Sequence, residues 1–178
     1  MAAIKSLYPV TSTQAITITL TSLANDSANF LAGRESTAVD NTTNLDLDHL
    51  VSGVIRAGSS APTLGNRIEI WAYAPISVAS GTPEYPIMDA TVFDGTDSAE
   101  TATSRNVLFS ALRLVHTIVV DATASRYYYI PPTSVASLFG GQLPQFWGLF
   151  VINGSGVALS STASDHVLHY LRVQAQTV

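Results

Sequence analysis

The residues of this 178-residue chain whose types could do chemistry are four histidines, thirteen carboxylates and the Asn-x-Ser motif at Asn153. His49 follows Asp48 in LDLDH. Alternation along a strand sends such neighbours to opposite faces, so the two do not converge on one metal. His166 and His169 stand three apart, and on a strand that spacing also separates them. His116 shares the apolar side of its run, the place of a hydrogen-bonded core or interface histidine. A zinc site needs three or four converging ligands, and no spacing here supplies them. With no cysteine, neither a thiolate ligand nor a disulfide can form.

The acids and aromatics are no more specific. Asp94, Asp97 and Glu100 in DGTDSAE imitate a calcium loop, but the alternating ligands and closing glutamate are missing, so a solvated acidic loop is expected. Glu69 alone has a distinctively apolar context, beside Trp71, and Arg67 is its expected partner. No carboxylate pair carries a glycosidase signature, and no G-x-S-x-G elbow occurs. Asn153 in INGSG fits the glycan acceptor pattern. A hairpin turn is the simpler reading, because Pro9 and the Ser/Thr residues of MAAIKSLYPVTSTQAITITL break any secretory apolar region. Trp71, Tyr73, Tyr85 and Tyr127 to Tyr129 could stack on sugar rings, with packing the preferred use. No catalytic, cofactor-binding or metal residue is assigned, and the chain is expected to be a non-enzyme without cofactors.

Composition narrows the partners. The net charge is −5, with Lys5 and seven scattered arginines, so no basic cluster is present to neutralise nucleic-acid phosphates. Only 12% of residues are charged, against roughly 25% in an average domain. An exterior so poor in charge suits a surface covered by neighbouring subunits. Tyr127 to Ser164 holds no charge at all, yet its longest apolar run is Phe146 to Ile152. A helical span needs about 20 residues, so no membrane segment is expected.

The elements that must position these residues read as strands. AITITLT puts Ile16, Ile18 and Leu20 opposite Thr17, Thr19 and Thr21. RESTAVDN (34–41) is a more polar strand. LDLDHLVSGVIRAG sets Leu45, Leu47, Val51 and Ile55 inward and Asp46, Asp48, Ser52 and Arg56 outward. NRIEIWAYA places Ile68, Ile70, Ala72 and Ala74 against Arg67, Glu69, Trp71 and Tyr73, a second face suited to another subunit. VLFSALRLVHTIVVD favours strand through its β-branched end, with Leu108, Leu112, Leu114, Ile118 and Val120 on one face. The one expected helix spans 133–139, opened by Pro132 and Thr133 and closed by Gly140 and Gly141. PQFWGLFVI, apolar on both faces, predicts a central strand, and NGSG a tight turn. The expected fold is all-β, an antiparallel β-sandwich of jelly-roll type in one domain over 14–178, preceded by an extended N-terminal arm over 1–13.

Residues 127–178 resemble the C-terminal region of small virion structural proteins of tailed bacteriophages. There a short helix ending in Gly-Gly is followed by a Leu-Pro-x-x-Trp-Gly strand, an Asn-x-(Ser/Thr)-Gly-type turn and a terminal strand. Phe139, Gly140, Gly141, Leu143, Pro144, Trp147, Gly148, Asn153 and Gly154 carry the likeness. The resemblance implies a non-enzymatic particle component, assembled in the host cytoplasm and placed on the capsid surface as a decoration or cement protein. The implied partners are the major capsid protein and copies of the chain itself, a homo-oligomer such as a trimer. A tail-associated position is the alternative within the virion. A carbohydrate-binding module or adhesin using the Trp71 and Tyr73 face is the alternative outside it, and a hydrolase has the least support.

Overall fold

β-branched alternation becomes strand where a ladder partner is at hand. In the computed structural model, which describes residues 4–9, 13–79, 81–86 and 93–177, two antiparallel sheets pack face to face. The first sheet runs β1 (Ile4–Leu7), β13 (Val167–Thr177), β5 (Asp48–Arg56) and β11 (Tyr127–Ser134), with β2 (Thr13–Ala15) also on β13. The second runs β10 (Arg113–Val119), β6 (Arg67–Tyr73), β12 (Phe146–Gly154), β3 (Ala32–Glu35) and β9 (Ala99–Thr101), with β4 (Val39–Asp40) also on β12. A small hairpin joins β7 (Ser77–Ala79) to β8 (Thr82–Glu84). Of the expected arm, Ile4–Leu7 pairs with the end of β13, while residues 1–3 and 10–12 lie outside the described residues.

Two apolar layers result. Between the sheets, Val51, Ile55, Tyr128 and Leu168 meet Ile68, Ile70, Trp147 and Val151. On the outer side of the second sheet, Trp71, Tyr73, Phe150 and Ile152 pack under Tyr85, Phe93 and Leu108. β12 is therefore buried on both faces, as its unbroken apolar run requires. Gly148 belongs to this second layer: a Cβ there would fall on the Tyr73 ring. Tyr73 in turn donates its hydroxyl to the Ser36 carbonyl at 2.8 Å.

Several expectations change in detail. The run from Val107 is not one strand. Its first half is α1 (Arg105–Ala111), whose Ser104 side chain accepts from the Val107 amide as N-cap, and only then does β10 begin. Leu108 and Leu112, four apart, fill the outer layer, while Ile118 and Val120 fill the inner one. Leu114 points to solvent because the ladder bulges between it and His116. The expected helix is α2 (Val135–Leu138); its cap is Ser134, and Pro132 and Thr133 belong to β11. Gly140 and Gly141, both at positive φ, end it as expected.

Ile16 and Leu20 are buried and Thr17 and Thr19 exposed, but only Ala15 of the segment joins a ladder, as the last residue of β2. It closes one side of the sandwich instead: Ile16 donates its amide to Leu168 in the first sheet, and Thr17 accepts from Thr37 beside the second. Leu45 and Leu47 are not inward. Leu45 is 72% exposed at φ 50, in the turn that precedes β5, and Asp46 is buried in their place. After Gly154 the chain does not fold back as a hairpin. It crosses to the first sheet, where Leu159 bridges Ala57.

Candidate functional site

The most histidine-centred cluster lies at the Asp46 end of β5. His49 faces inward with Val51 and Ile55, and Asp46 enters from the preceding turn, so the two meet despite the alternation that separates His49 from Asp48. His49 Nε2 lies 2.9 Å from Asp46 Oδ2, while Trp147 donates its indole N–H to His49 Nδ1 at 2.9 Å. That indole fixes the tautomer: Nδ1 accepts, so Nε2 carries the proton and donates to Asp46. Arg172 adds two bonds to Asp46, at 2.7 and 3.0 Å, and Gln174 a third at 2.7 Å. Tyr170 lies tilted against the imidazole at 4.3 Å between centroids. Burial opposes ionisation of Asp46, but these donors outweigh it and hold the carboxyl below its usual range. Burial also holds His49 below its usual pKa. An Asp–His pair of this kind resembles a base with its orienting acid, yet the ring nitrogen that would take a proton is occupied by Trp147. The cluster ties β12, β13 and β5 together.

Glu69 forms the second clasp. It is buried, as its apolar neighbours suggested, and Arg67 is its partner at 2.6 Å. Arg105 reaches it from α1 at 2.7 and 3.0 Å, and the Trp71 indole donates to it at 3.0 Å. Desolvation would raise its pKa, but the two guanidiniums lower it below the ordinary value. Arg105 sits over the Phe109 ring at 4.7 Å, so one arginine pins α1 to the sheet by charge and by ring contact. This roof overturns the reading of the Trp71 and Tyr73 face as a surface for sugars or another subunit. Trp71 is 2% exposed and Tyr73 0%, covered by α1 and by Tyr85 and Phe93. Tyr85 and Tyr128 are buried too, leaving Tyr127 and Tyr129 as the exposed members of that set.

The other candidates are each drawn into local bonds. Asp94 accepts from Thr96, Asp97 from Thr19 and Arg34, and Glu100 from Ser98, so the acidic loop is tied to its own chain, Asp97 through an ion pair. Asn153 is fully buried, donating to the Leu23 and Val157 carbonyls, and it holds the crossover rather than presenting a glycan acceptor. His116 is half-buried on the edge strand, its pKa lowered by desolvation. His166 and His169 part as expected: His166 Nε2 contacts the Ser160 carbonyl at 3.0 Å, and His169 Nε2 the Ser52 hydroxyl at 3.0 Å. Asp165 collects Arg56, Ser160 and Tyr127, which hold it down to about 2, the Ser160 hydroxyl foremost. Among the described residues no three His, Asp or Glu side chains gather as metal ligands.

Ser52 lies beside the His169 imidazole, and a serine beside an imidazole can be a nucleophile with its base. They are directly opposed across β5 and β13, on the outer face of the first sheet. The sheet ladder binds the amides around them, and the bond here is a cross-strand pair. What surrounds it is apolar: Val54, Tyr129, Pro132 and Val167 line a shallow groove of about 340 Å³. Sequence alone gave no sign of this juxtaposition, because the two residues are 117 positions apart. Among the described residues nothing packs over this apolar groove. No protein-family model, curated protein or solved structure matches the chain.

Proposed function

We propose that the chain is a non-enzymatic structural protein of a tailed-bacteriophage virion, a capsid decoration or cement protein that binds the shell and stabilises it. The observation that carries this reading is the outer face of the first sheet, left open by the described residues, where Val54, Tyr129, Val167 and Leu171 stand among uncharged neighbours and can bring copies of the chain together on a shell. Large exposed apolar patches mark interaction surfaces. The charged clusters, by contrast, are spent internally on holding strands together. Binding across neighbouring capsid subunits would reinforce the shell by mass action, since the bound state alone is stabilised. The major capsid protein and further copies of the chain are the partners, and the capsid surface the location, after assembly in the host cytoplasm.

The finer architecture belongs to the same proposal. The strand order β10-β6-β12-β3, with β5 beside β11 in the other sheet, supports a jelly-roll arrangement of the two sheets. The C-terminal pattern that resembles phage virion proteins falls on α2, its two closing glycines, β12 and β13. Co-sedimentation with empty shells of the phage's major capsid protein tests the function. Saturable binding that raises the shell's disruption temperature is expected. Binding to purified tails instead would move the protein to the tail, and a specific glycan hit through Tyr127 and Tyr129, without shell binding, would favour an adhesin.

A further inference from the structure

We infer that the outer face of the first sheet is where a second copy of this chain packs, sheet against sheet. This deepens the proposal above by naming the self-contact, and rests on it for the expectation that copies assemble. The two sheets are treated differently by their own chain. The second has its outer side roofed by α1, Tyr85 and Phe93, whereas among the described residues nothing roofs Val54, Tyr129 and Val167 on the first. Tyr129 is 75% exposed in the middle of a strand, a position that solvent does not reward.

The chemistry of the face selects its occupant. From Leu50 to Val54 on β5, and on the facing residues Val167, His169 and Leu171 of β13, no side chain bears a fixed charge. Asp48 and Arg56 mark the two ends, and both are engaged: Asp48 accepts from the Ala136 amide, and Arg56 is paired with Asp165. A partner recognised by charge would find nothing to pair with, whereas an identical face meets this one without repulsion, although the chain as a whole carries −5. A face of this kind is its own complement, as a twofold contact requires. With strands about 4.8 Å apart and a rise of about 3.3 Å per residue, it covers roughly 500 Å² per copy. Two such faces bury about 1,000 Å² in total, the lower bound for a specific pair. Sheets stacked in this way lie about 10 Å apart with side chains interleaved.

The test is self-association of the full chain by analytical ultracentrifugation, for the wild type and for the double variant Tyr129→Asp, Val167→Asp. Both side chains are exposed, so the variant's thermal melt should match the wild type's and report intact folding. The wild type is expected to dimerise, and the double variant to associate at least about tenfold more weakly. Leu64→Asp, an exposed position in the loop before β6, should leave the dimer unchanged. A monomeric wild type at about 100 µM, or a dimer indifferent to the double substitution, overturns the inference. Shell co-sedimentation, measured separately, keeps the two claims apart. Shell binding by a monomeric chain sinks the self-contact alone, and a face-mediated dimer that ignores shells sinks the virion role alone.

Discussion

At the scale of single residues the chain uses polar groups as buried fasteners, and one of them is left incomplete. Glu35 is fully buried; its Oε1 accepts from the Gly95 amide at 2.8 Å, and its Oε2 has no hydrogen-bond partner among the described residues. Burial pushes its pKa from 4.5 up to about 7. Below pH 4.5 the carboxyl is protonated in both folded and unfolded chains and contributes no difference. Between 4.5 and about 7 the unfolded chain ionises while the folded one keeps its proton, so this group lowers stability as pH rises. The loss totals about 3 kcal/mol and is constant above that window. His49 acts in the opposite sense: held neutral by burial, it lowers stability as pH falls below 6.5. The comparison that isolates Glu35 is therefore wild type against Glu35→Gln, by urea midpoint from pH 4.5 to 8. The variant should gain on the wild type steadily as pH rises, and parallel curves would refute the assignment. Trp147→Phe probes the other fastener. It leaves His49 Nδ1 buried without its donor, at a cost of about 1–3 kcal/mol plus the lost indole packing. A melt within a degree of wild type would show that the bond carries no weight.

At the scale of elements, α1 is a roof held at its start by Ser104 and across its face by Arg105. Ser104→Ala removes the side-chain acceptor of the Val107 amide and should cost about 1 kcal/mol, read as a shift in the urea midpoint at unchanged slope. An unchanged midpoint would mean that the cap is satisfied by water. Gly148→Ala should cost more, about 1–3 kcal/mol, because the new methyl must displace the buried Tyr73 ring. What the sequence made legible follows from locality. Strands with period-two alternation, such as Ile68 to Tyr73, and the doubly apolar β12 were readable from their own residues. So was the glycine-closed α2. α1 was masked by the β-branched strand that follows it, although Ser104 three residues before Val107, and Leu108 four before Leu112, were its signals. The Trp71 face looked exposed because the residues that roof it, Tyr85, Phe93 and Leu108, come from distant segments. The Asp46–His49–Trp147–Arg172 cluster was illegible for the same reason: 126 positions separate Asp46 from Arg172.

At the scale of the whole molecule, charge is scarce, and its cations are largely paired. Six of the seven arginines are ion-paired with an acid: Arg34, Arg56, Arg67, Arg105, Arg126 and Arg172. What the surface offers a partner is then mostly apolar or hydroxyl-bearing, and this dictates how attachment should respond to salt. Screening weakens contacts between exposed charges within a Debye length of about 8 Å at physiological ionic strength, but leaves apolar burial intact. Attachment to the shell through such a surface should therefore change less than about threefold between 0.05 and 0.5 M sodium chloride. An attachment built on several ion pairs would fall by orders of magnitude over that range. Ammonium sulfate, which strengthens apolar burial by its exclusion from protein surface, should tighten binding rather than loosen it. The measurement is the fraction of chain pelleting with shells across both salt series. Steep loss in sodium chloride would place the recognition in charged groups at the rim of the molecule and would refute attachment through its apolar surface.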